Sequence, residues 1–141
     1  MTGKKQAEGL MNELLSFAEK MLNEHGEFHP FGGYLRASGA VVHVGVESSP
    51  DNSKSQQKID ALIESFKQLA TQGKAIAFGI AVDVKLPRDD GSKSDAIEVL
   101  LEHQEGYCAE VFFRYEIGAE GVEVTDTIAQ QGERIFFTPV N

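Results

Sequence analysis

The stretch AIAFGIAVDVKL, residues 75–86, decides the fold. Its even positions, Ile76, Phe78, Ile80, Val82, Val84 and Leu86, repeat with a strict period of two. That is the pattern of a strand whose side chains alternate between two faces. The odd positions open with Ala75, Ala77, Gly79 and Ala81, and turn polar only at Asp83 and Lys85. A strand with one bulky and one small apolar face is buried on both sides, and the small face admits a closely packed helix.

Two segments upstream have helical spacing. Residues 6–25 carry Leu10, Leu14, Phe17, Ala18, Met21 and Leu22 on one stripe, widened by Met11 and Leu15. Gly26 is placed to end that helix in a left-handed conformation. The second stripe is Ile59, Leu62, Ile63, Phe66, Leu69 and Ala70, with Gly73 as its stop and Ser53 followed by Gln56 as its capping box. The first helix is expected on the small face of the 75–86 strand.

Downstream, residues 87–93 (PRDDGSK) read as a turn-rich loop, without the alternating acids and terminal glutamate of a calcium loop. Strands at about 95–103 and 107–116 meet at Gln104-Glu105-Gly106. A three-residue loop ending in glycine pairs His103 with Tyr107. It puts Ile97, Val99, Leu101, Tyr107, Ala109, Val111 and Phe113 on one face. Cys108 then falls on the opposite face of the sheet from His103, which argues against a thiol–imidazole dyad. Beyond Gly118–Gly121, a short strand is expected at Val122–Val124 and a last one at Arg134–Thr138.

Between the first helix and the long strand lies HGEFHPFGGYL, residues 25–35. Gly26 keeps His25 and His29 from sharing one helical face, and a metal site through His25, Glu27 and His29 would need further ligands. The reading is a hydrophobic clasp of Phe28, Pro30, Phe31 and Gly32, with Gly32 and Gly33 supplying unusual backbone angles. A hairpin of Tyr34–Ala37 and Ala40–Val46 follows, around a two-residue Ser38-Gly39 turn. That register gathers Tyr34, Arg36 and His43 on one face, a cluster able to hold a carboxylate or phosphate. Residues 47–54 are a loop.

The whole predicts one α+β domain over residues 1–141, with two helices and an antiparallel sheet of about five strands, in the order α-β-β-α-β-β-β plus a short C-terminal strand. At 141 residues such a domain buries about two-thirds of its unfolded surface. This plan resembles profilin-like and roadblock-like domains. Glu27-Phe28-x-Pro30-Phe31-Gly32, KSDAIEVLLEH (93–103) and GYCAEVFFRY (106–115) are similar to a group of small bacterial proteins with an EFxPFG signature. The resemblance implies a fold and brings no catalytic residue or cofactor with it.

The net charge is −9, and Arg114 is the only basic residue between Asp95 and Asp126. Such a field repels phosphate backbones, so nucleic acid is not an expected partner. No apolar run approaches the roughly 20 residues that span a bilayer. No secretory signal is visible in residues 1–9, and the single Cys108 fits a reducing cytoplasm. No phosphate loop or GxSxG elbow is present, and no cofactor is expected. The leading expectation is a non-catalytic binding or regulatory protein. It would act as a homodimer through a sheet edge, or would meet a basic protein through Glu98, Glu102 and Glu110. The alternative is a small-molecule sensor or minor hydrolase using Tyr34, Arg36 and His43.

Overall fold

A computed structural model of the chain describes residues 2–45 and 55–137. The helices are α1 (Thr2–His25) and α2 (Ser55–Thr71). The strands are β1 (Phe31–Leu35), β2 (Val41–Gly45), β3 (Ala77–Pro87), β4 (Lys93–His103), β5 (Cys108–Gly118) and β6 (Gly121–Gln131). They form one antiparallel sheet in the order β2-β1-β3-β4-β5-β6, an α+β arrangement with six strands rather than five. The cap at Ser53, the 47–54 loop, Val46 and Thr138 lie outside the described residues.

The two faces of β3 behave as their side chains require. Ala77 and Ala81 face α1, where Leu10, Leu14, Ala18 and Leu22 join Ile97, Val99, Val111 and Phe113 in one core. Phe78, Ile80 and Val82 face α2 and meet Leu62 and Phe66 in a second core. The alternation starts at Ala77; before it, Ala75 belongs to the α2-side core and Ile76 packs on the α1 side. Both helices end as expected, with Gly26 and Gly73 at positive φ. Gly73 N–H bonds Ala70 O, and Lys74 N–H bonds Leu69 O, which closes the last turn of α2.

Gly32 and Gly33 have a different reason from the expected one. Neither has positive φ; they make room. A Cβ on Gly32 would lie 2.8 Å from the Phe66 ring, and one on Gly33 would lie 3.0 Å from Leu14 Cδ2. The clasp holds: Phe28 and Phe31 are buried with ring centroids 5.6 Å apart, and Phe17 caps Phe31 at 4.9 Å.

The β4–β5 hairpin has the expected register, His103 N–H bonding Tyr107 O and Glu102 facing Cys108. The β1–β2 hairpin does not. It also uses a three-residue loop, Ala37–Ser38–Gly39, closed by Arg36 N–H to Ala40 O. Tyr34 therefore faces Val42, and Gly33 faces His43. The slip is one residue, which turns the whole of β2 over.

β6 is eleven residues long rather than three. Its pairing with β5 shifts at Arg114/Tyr115, so Thr125 is the extra residue of a bulge. Val122 and Val124 lie on the α1 side; past the bulge Asp126, Ile128 and Gln130 lie on the α2 side. Residues 132–137 are not a strand. They form a strap that buries Phe136 against Phe66 and Phe78, at 5.7 and 5.1 Å between ring centroids.

Candidate functional site

The one-residue slip divides the expected Tyr34, Arg36 and His43 cluster. His43 emerges on the α1 face, its Nε2 3.7 Å from a Glu13 carboxylate oxygen and its ring 5.6 Å from Phe17. Tyr34 lies on the α2 face, its ring set against Phe66 and Phe78, each 6.2 Å away between centroids. Arg36 stays with Tyr34. The two line an open cleft of about 540 Å³ between the β1–β2 loop and the end of α2. Lys74 replaces His43 there, and Ala37, Ser38, Leu69 and Gly73 complete the lining. Sequence reading missed Lys74 because it follows a helix stop and belongs to no periodic pattern.

The acidic trio divides as well. Glu102 is not a surface residue: it is 1% exposed. Its Oε1 accepts the backbone N–H groups of Ile135 and Phe136, and its Oε2 accepts that of Phe137 at 2.8 Å. A buried carboxylate needs this degree of satisfaction. Glu102 anchors the strap and is unavailable to a partner.

Glu98 and Glu110 remain on the α2 face of the sheet, half-buried and diagonal across β4 and β5. Burial, followed by the hydrogen bond to Glu110 and its charge, pushes the Glu98 pKa up to about 8. Accepting that bond holds Glu110 below the usual carboxylate range, assisted by Gln130 Nε2 at 2.5 Å. The pair thus carries one proton at neutral pH. No cation is among the groups acting on it; Arg114, on the same face, donates to Ser94 Oγ at 2.7 Å and lies 3.8 Å from Asp126.

Helix α2 packs against β1 and β3. Among the described residues, the neighbouring part of the same face, on β4, β5 and β6, has no helix over it. The acid pair there is bordered by Leu100, Phe112 and Ile128, the last 37% exposed. That this part of the face has no helix over it was not legible in the sequence, since it depends on where α2 comes to rest.

The remaining candidates for chemistry are separate from one another. His103 is fully buried on the α1 side; its Nδ1 accepts Glu105 N–H at 3.1 Å, so its Nε2–H donates to Gln6 Oε1 at 2.7 Å. Burial holds its pKa below the ordinary value. Cys108 points to the other face, and burial, followed by the charge of Glu102, pushes its thiol pKa up. His25 is exposed beside Glu24, His29 is exposed, and no three metal-ligating groups gather among the described residues. Among the described residues, no helix is long and apolar enough to cross a membrane. Comparison with protein-family models, curated proteins and solved structures finds no match to this chain.

Proposed function

We propose that this protein is a non-catalytic binding domain, acting in the cytoplasm, whose docking surface is the β4–β6 part of the α2-side face. Its partner is a basic protein segment. One observation carries the reading: a carboxyl–carboxylate pair, Glu98 and Glu110, set among Leu100, Phe112 and Ile128 with no helix over them. Placing an acid pair in a half-buried apolar field is unfavourable unless something gains from it. An arginine from a partner would neutralise the single negative charge that the pair carries, while its apolar neighbours cover Phe112 and Ile128.

A titration with an amphipathic Arg/Leu peptide, followed by backbone amide shifts, tests this. Shifts concentrated at residues 98–100, 110–112 and 126–130 are expected, weakened by salt and abolished by Glu98→Lys with Glu110→Lys. Shifts spread evenly over all acidic surfaces would refute the docking face.

A homodimer through β6 is the second reading, favoured by the edge itself. β6 is a long outer strand whose sequence, GVEVTDTIAQQ, holds neither lysine nor proline, the residues that commonly protect edges. Sedimentation equilibrium should then show a dimer that Thr127→Lys with Ala129→Lys dissociates. A concentration-independent monomer sinks this reading.

A further inference from the structure

We propose that the cleft between the β1–β2 loop and the end of α2 binds a phosphate monoester with a flat apolar body, held by Arg36 and Lys74. The site is separate from the docking face and does not depend on it.

The charge is the first argument. In a chain of net charge −9, two cations and no acid line this cleft. Among the described residues neither Arg36 nor Lys74 is in an ion pair, so no counter-charge from those residues meets them in the cleft. The ordinary task of cations at a helix C-terminus is to meet its last carbonyls. Here the backbone does part of that work, since Gly73 N–H and Lys74 N–H take Ala70 O and Leu69 O. The two side chains are left for another anion.

The shape is the second argument. Tyr34 is held by Phe66 and Phe78 on one side, so its ring forms a fixed wall. Leu69 adds apolar lining, and Ser38, whose hydroxyl accepts Ala40 N–H at 3.4 Å, lines the cleft as well. Rigid aromatic wall, apolar lining and a few polar groups are what a small-ligand site requires. A guanidinium fork and an ammonium together match the two charges of a phosphate monoester better than the one of a carboxylate.

Phenyl phosphate is the probe, titrated at constant ionic strength and read by backbone amide shifts. Saturable shifts at Ser38, Gly39, Gly73 and Lys74 are expected, with benzoate binding more weakly. Arg36→Gln and Lys74→Gln each should weaken binding by about tenfold, as loss of one charged hydrogen bond implies. Both side chains are exposed, so the variants should keep the wild-type melting temperature, which separates lost binding from lost folding. No shifts at tens of millimolar, shifts indifferent to both substitutions, or benzoate binding as tightly would each overturn the proposal.

Discussion

Leu14 enters the sheet where two strands have no side chain to offer. Gly33 and Gly79 face each other across β1 and β3, and a Cβ on Gly79 would lie 2.5 Å from Leu14 Cδ1. Gly79→Ala should therefore destabilise the fold by about 1–3 kcal/mol in urea unfolding, despite the entropy that alanine recovers. The small face of β3 was legible in its alternation; the glycines of β1 were legible as special but for the wrong reason. Sequence shows that a residue lacks a side chain, and only packing shows whether angle or space demands it. Glu102 is the parallel case among charged residues. One carboxylate in an acidic run looks like its neighbours until the strap folds over it. Cys108, half-buried opposite Glu102 with its thiol pKa raised, should react with iodoacetamide at pH 8 more slowly than a free cysteine.

At the scale of elements, regular strands were legible and irregular ones were not. β3, β4 and β5 keep an unbroken period of two, so their existence and the β4–β5 register followed from the sequence. β6 changes face at Thr125, which scrambles the alternation that would have identified it. The first hairpin failed because Ala37 can end a strand or begin a loop, and the sequence does not distinguish them. The acid pair across β4 and β5 gives these elements a pH dependence. Glu98 titrates near 4.5 when unfolded and near 8 when folded, so the native state holds the extra proton between those values. Its contribution is fully present below the lower value and is lost as pH rises through the upper one. Asp83, raised chiefly by burial, adds in the same direction. Glu110 is depressed, so its contribution is present above its unfolded value and lost only as pH falls below that value. Melting temperature should thus fall between about pH 5 and 8. Glu98→Gln, which keeps a donor for Glu110, should flatten that fall and raise the melting temperature above pH 8.

Across the whole molecule, the α+β plan was legible and the sites were only half so. Tyr34 and Arg36 lie on one face, as do Glu98 and Glu110, because residues two apart on a strand or diagonal across a hairpin share a face. His43, Lys74 and the bare part of the sheet depend on contacts between distant elements, which local pattern does not record. The strap is another such contact. Removing residues 132–141 takes Phe136 from the α2-side core, worth about 1.5–3 kcal/mol, and opens Glu102 to water. The truncated chain should keep its α1-side core, lose stability by that amount, and expose Cys108 to alkylation. The dependence also has a temporal side. Phe66 and Phe78 are synthesised well before Phe136, yet the ring stack they share is complete only with it. A chain in which the strap has not yet docked can pair its strands and seat α1, but its other core shuts only when Phe136 arrives.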